Sequence, residues 1–61
     1  FSMSFQEYLR MLRMEQALTL LKDPGLSIQQ IAAQVGYENA FNFSRSFKAQ
    51  YGVSPSHFRN T

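Results

Sequence analysis

The segment from Ser27 to Lys48 constrains the fold more than any other part of the chain, because it describes two short helices around a single glycine. Ser27 suits an N-cap, Gln30 stands three residues later as in a capping box, and Ile28, Ile31, Ala32 and Val35 repeat at i, i+3, i+4 and i+7. One apolar stripe therefore faces a core. Gly36 then falls where a helix must end in a left-handed conformation, which glycine adopts without steric penalty. Tyr37, Glu38 and Asn39 form the turn.

Asn39 can cap a second helix, and Gly52 followed by Ser54 and Pro55 closes it, so the helix is expected from Ala40 to Tyr51. At about 100° per residue, Phe43, Phe47 and Tyr51 share one side, while Phe41, Asn42, Arg45, Lys48 and Ala49 gather opposite. No acidic residue occurs between Ala40 and Gln50. The pattern is a helix-turn-helix whose outward arc carries two cations, an amide and one aromatic ring. Such an arc suits a helix laid in a DNA major groove.

Upstream, the helix expected over residues 5–21 has two apolar faces. Phe5, Tyr8, Leu9 and Leu12 lie within one arc, and Met14, Ala17, Leu18 and Leu21 lie on the other side of the wheel. The later face can pack on Ile28, Ile31, Phe43 and Phe47; the earlier face finds no second helical unit in this sequence. Together with a chain that starts at Phe1 and a Ser4/Glu7 capping box three residues in, this suggests a piece of a longer protein. The alternative is that Phe5, Tyr8, Leu9 and Leu12 wrap a small core or form a protein-interaction or dimerisation face.

These residues resemble the AraC family of bacterial transcription regulators. The family's motifs are met by Ile31-Ala32, Val35-Gly36-Tyr37, the run from Phe43 to Lys48, the run from Gly52 to Pro55, and Phe58-Arg59. Glu7 to Arg10 and Arg13 to Ala17 also resemble its connecting helix, so the likeness covers nearly the whole chain. The resemblance implies a DNA-binding region of two helix-turn-helix units joined by a helix, each unit placing one helix in successive major-groove segments. It implies that this chain holds the linker helix over 5–21, the second unit over 27–51 and a short terminal helix over 55–60. The missing first unit and double-stranded DNA are then its partners. Contact with RNA polymerase enters only at the level of the family.

An all-α, homeodomain-like three-helix core behind a long helix agrees with 61 residues of which 44% are hydrophobic. A chain this short holds one core and is marginally stable. With no cysteine, neither a disulfide framework nor a thiolate zinc site can form, and a reducing cytoplasm fits. No apolar run approaches a membrane span, and no signal peptide pattern is visible. The net charge is only +2, so the case for nucleic acid rests on where the charges sit. Arg10 and Arg13 lie on the first helix and Arg59 near the end.

The residues expected at base edges are Ala40, Phe41, Asn42 and Arg45. Arginine matches the paired acceptors of guanine, asparagine can read adenine, and Ala40 offers only a methyl group. Phe41 has two readings, a thymine methyl or a fold back onto the core. Lys48, Ser44, Ser54 and Ser56 are the expected phosphate contacts, the last two beside the amides that open the terminal helix. The plainer alternatives are solvated charge for Arg45 and Lys48, a backbone bond for Ser44, and capping for Ser54 and Ser56. Gln29, Gln30 and Gln34 read as solvated surface. Catalysis is not expected: His57 is the only histidine, and Glu7, Glu15, Asp23 and Glu38 are dispersed. No metal site and no cofactor are expected, and no Gly-rich phosphate loop occurs.

Overall fold

Every helix among the described residues starts on a side-chain oxygen, and these caps set the boundaries of the fold. In the computed structural model, which describes residues 3–60, four helices run over Phe5–Leu20 (α1), Ile28–Gln34 (α2), Ala40–Tyr51 (α3) and Pro55–Arg59 (α4). Ser4 Oγ accepts from Glu7 N–H at 3.1 Å while Glu7 Oε1 accepts from Ser4 N–H at 2.9 Å. Ser27 and Gln30 repeat that reciprocal box at 3.0 and 2.8 Å. Asn39 Oδ1 caps α3 through Asn42 N–H at 2.8 Å, and Ser54 Oγ caps α4 through His57 N–H at 3.1 Å. Each cap satisfies an amide that the helix itself leaves without a partner.

The closing signals act as the sequence pattern requires. Gly36 has φ +93°, and its N–H reaches Ala33 O at 3.2 Å while Tyr37 N–H reaches Ala32 O at 2.8 Å. That pair of bonds is a Schellman motif, which ends α2 and turns the chain toward α3. Gly52, with φ +84°, ends α3 through one bond from its N–H to Lys48 O at 2.8 Å. The chain from Lys22 to Leu26 turns on Asp23, whose Oδ1 accepts from Gly25 N–H at 2.9 Å.

The core gathers Met14, Ala17 and Leu21 from α1 and its cap, Ile31, Ala32 and Val35 from α2 and its cap, and Phe43 and Phe47 from α3. Phe43 and Phe47 are fully buried and lie 5.8 Å apart between ring centroids. Tyr37 meets Phe43 edge-on at 5.7 Å, Tyr51 lies 4.8 Å from Phe47, and Phe58 of α4 meets Phe47 edge-on at 5.8 Å. These offset and edge geometries favour the ring quadrupoles in addition to burying their area. α3 is thus held by α2, by the turn before it and by α4, and its orientation is fixed from three sides.

α1 is two-faced, as its wheel requires. Met14 and Ala17 are buried, while Phe5, Tyr8 and Leu12 are exposed and Leu9 is half-buried. At its C-terminal end, Arg59 of α4 donates through Nε to Leu21 O and through Nη2 to Asp23 O, both at 3.2 Å. A guanidinium with its fixed fork of donors reaches the carbonyl of Leu21, the α1 C-cap, and that of Asp23 in the following turn, which also accepts from Leu26 N–H. Arg59 therefore staples α4 to the first turn of the chain, and does not stand as a solvated basic residue.

Two outcomes follow for stability. Gly36→Ala forces a side chain into the left-handed region, with the new Cβ 3.4 Å from Arg13 Nε, and should cost about 1–2 kcal/mol in chemical denaturation. Glu7's carboxyl is held below its ordinary value chiefly by the Ser4 N–H, then by the Ser4 hydroxyl and the Arg10 charge. A depressed carboxyl stabilises the first turn of α1 above the ordinary glutamate range, and that contribution disappears as pH falls through the lowered value. Protection of the Ser4 and Glu7 amides, their exchange rate relative to the intrinsic rate at each pH, should fall on acidification over that window before protection at Phe43 or Phe47 changes.

Candidate nucleic-acid interface

Because Phe43 and Phe47 point inward, the helical period forces Phe41, Asn42, Arg45, Lys48 and Ala49 outward, and all five are exposed. Ser44 and Ser46 are half-buried on the two flanks of this arc. Ala40, where α3 begins, is also half-buried, which narrows what its methyl group can reach. Asn39 uses its Oδ1 on the cap, and the first polar side chain within α3 itself is that of Asn42.

Phe41 is 69% exposed, so it does not fold back onto the core. Instead it lies one helical turn before Arg45, whose Cζ stands 5.8 Å from the ring centroid. An i, i+4 cation–π pair at an exposed site contributes about 0.5–1 kcal/mol. The ring lies beside the Arg45 guanidinium at the outward surface.

The structure brings one more charged residue to this surface. Arg10 of α1 lines an open groove of about 450 Å³ together with Asn42, Arg45, Ser46, Ala49 and Gln50. On the α1 wheel Arg10 shares a bearing with Ala17 and Leu21, which sit in the core, but it lies a turn N-terminal of Met14. It therefore projects from the core-facing stripe past the edge of the core and over α3. A cation on an otherwise apolar stripe was the signal in the sequence that could have located it.

The remaining expected residues do not converge on that groove. Lys48 lies in the last turn of α3. Ser54 is occupied as the α4 cap, and Ser56 is exposed on α4, a separate element. Arg13 rests against Gly36 and lines a second groove in which Arg10 and Ser46 also take part, with Phe5, Gln6, Leu9 and Tyr37. Among the described residues, no three His, Asp or Glu side chains gather where they could hold a metal ion. No helix of the described residues is long and apolar enough to cross a membrane.

A capped helix, a turn on a left-handed glycine and a second helix with its polar arc outward define a helix-turn-helix domain. Comparison with known proteins agrees: a family model described as a helix-turn-helix domain matches residues 1–61. The chain is similar to the Msm operon regulatory protein of Streptococcus mutans, 41% identical over 58 residues, which cover 95% of this chain and 21% of that protein. It is also similar to the transcriptional regulator AlkR of Acinetobacter baylyi, 48% identical over 52 residues, covering 85% of this chain and 17% of that one. Among solved structures, the C-terminal domain of the two-component response regulator yesN from Fusobacterium nucleatum superposes with a TM-score of 0.90 at 41% identity. That match covers 97% of this chain and 57% of the other. The chain belongs to the AraC-type helix-turn-helix family of transcription regulators, which is not an enzyme class. It spans about a fifth of the length of these two curated relatives.

The two phenylalanines of α3 that differ most in burial give a direct check on which face is which. Phe41→Ala should change unfolding free energy by no more than about 1 kcal/mol, the scale of its pair with Arg45, whereas Phe43→Ala should cost about 3–5 kcal/mol and leave little folded protein. Parallel thermal melts by circular dichroism compare them.

Proposed function

We propose that this chain binds double-stranded DNA in a bacterial transcription regulator, with α3 from Ala40 to Tyr51 inserted in the major groove. The observation that carries this reading is the outward arc of α3: Asn42, Arg45 and Lys48 exposed together, Phe41 beside Arg45, and no carboxylate on the helix. A helix with its side chains is about 10–12 Å across and the major groove about 12 Å wide, so such an arc can reach base edges directly. Arg45 is assigned to a guanine through its paired donors, Asn42 to an adenine, and Phe41, with a smaller part for Ala40, to a thymine methyl. Lys48 and Ser44 are assigned to phosphate. Ser54 keeps its hydroxyl proton to donate although its oxygen caps α4, and Ser56 adds a second hydroxyl beside it.

The exposed face of α1 supports a further part of the reading. Phe5 is 73% exposed, Tyr8 47% and Leu12 40%, a cluster of a kind that marks interaction surfaces. We assign it to another helix-turn-helix unit of the same protein. Two tethered units gain effective concentration, so one unit alone should bind an operator far more weakly than the pair. RNA polymerase as a partner and the cytoplasm as the location follow the family reading.

Binding titrations on a panel of duplexes at several salt concentrations test the roles separately. Arg45→Ala should weaken binding to the preferred duplex by about 1–3 kcal/mol and relax preference at one position. Equal loss on every duplex would contradict base readout by Arg45. Lys48→Gln should weaken all duplexes alike and make the salt dependence shallower, since one fewer counterion is released.

A further inference from the structure

We infer that the groove between α1 and α3 is a seat for a DNA phosphodiester, with Arg10 as its anionic-ligand residue. This rests on the reading above, in which α3 occupies the major groove. A helix that fills a groove of about its own width turns each flank toward one sugar-phosphate backbone. The flanks of α3 are marked by the half-buried serines Ser44 and Ser46, on opposite sides of the outward arc. Arg10 stands on the Ser46 side, in the groove it shares with Asn42, Arg45, Ser46, Ala49 and Gln50. No acidic side chain lines that groove. Glu7, the carboxylate one turn before Arg10, accepts from Ser4 N–H in the α1 capping box and feels the Arg10 charge less than it does that bond.

The consequence is a two-sided grip. Lys48 and Ser44 address one strand's backbone, and Arg10, with the Ser46 hydroxyl beside it, addresses the other. Guanidinium forks match phosphate oxygens and carry a permanent charge, whereas the contact conveys no base information. Arg10 would thus fix the depth and tilt of α3 while Arg45 reads the sequence. α1 then takes part in DNA binding directly, in addition to packing on the core.

The test compares the chain with Arg10→Gln, Arg10→Lys, Lys48→Gln, Arg45→Ala and Lys22→Gln, each titrated with a panel of duplexes of different sequence from about 50 to 200 mM salt. Lys22 is exposed twelve residues along the chain from Arg10, on the order of 18 Å of helix rise and beyond the screening length of about 10 Å. Arg10→Gln should lower affinity on all duplexes alike and make the slope of log K against log salt shallower by about 0.9. Its deficit against the unaltered chain should be about three- to fourfold larger at 50 than at 200 mM salt. Arg10→Lys should restore most of the slope, and Lys22→Gln should leave it unchanged.

Arg10→Gln with an unchanged slope, beside a Lys48→Gln that lowers it, would overturn the phosphate seat and leave groove insertion of α3 standing. So would a Lys22→Gln effect equal to that of Arg10→Gln, which would make the change one of total charge. A shift in preference at one base pair would overturn it as well, because Arg10 would then be a base contact. No duplex binding by the unaltered chain, or no response to Lys48→Gln and Arg45→Ala, would remove both readings. Matching circular dichroism melts confirm that each exposed substitution leaves the fold intact.

Discussion

The burial of Phe43 and Phe47 on one side of α3 is the constraint on which the rest depends. Their rings join Tyr37 before the helix, Tyr51 at its end and Phe58 of α4 in a single aromatic cluster. A helix fixed through two residues one turn apart cannot rotate without exposing both, so its opposite face is determined at the same time. That face is where Asn42, Arg45 and Lys48 stand. Core packing and ligand presentation are consequences of the same periodicity, and a change at either phenylalanine would disturb both.

Local signals were legible in the sequence because each involves residues within a few positions of one another. Ser4, Ser27, Asn39 and Ser54 cap their helices through hydrogen bonds three residues long, and Gly36 and Gly52 mark helix ends by a conformation that side chains disfavour. The outward arc of α3 was legible for the same reason, as it needs only the helical period. What the sequence did not display depends on how distant segments cross. Arg59 meets carbonyls of Leu21 and Asp23 more than thirty positions earlier, and nothing local distinguishes it from a solvated arginine. Arg10 comes beside α3 only through the crossing of α1 over the core. The Phe41 and Arg45 spacing was visible, but whether the ring turned inward or lay beneath the guanidinium depended on space at the surface.

α1 connects two surfaces of different character. Its later half anchors Met14, Ala17 and Leu21 in the core, its earlier half leaves Phe5, Tyr8 and Leu12 uncovered, and on the opposite side of that earlier half Arg10 overlooks α3. A rigid helix with these three jobs transmits any shift on its apolar face to the position of Arg10 relative to α3. In the proposed reading, a unit docked on Phe5, Tyr8 and Leu12 would set the geometry of phosphate contact as well as add affinity. Neutral polar positions such as Ser46 and Gln50 leave the groove between α1 and α3 without an internal ion pair that DNA would have to displace.

If α3 is the surface that meets DNA, an NMR titration of the isotope-labelled chain with mixed-sequence duplex, at low and then higher salt, gives salt-sensitive amide shifts concentrated from Ala40 to Lys48 and near Ser54, with Tyr8 and Leu12 little affected. Shifts confined to Tyr8, Leu9 and Leu12 that follow protein concentration instead of DNA would contradict it and assign the chain to a protein-interaction role.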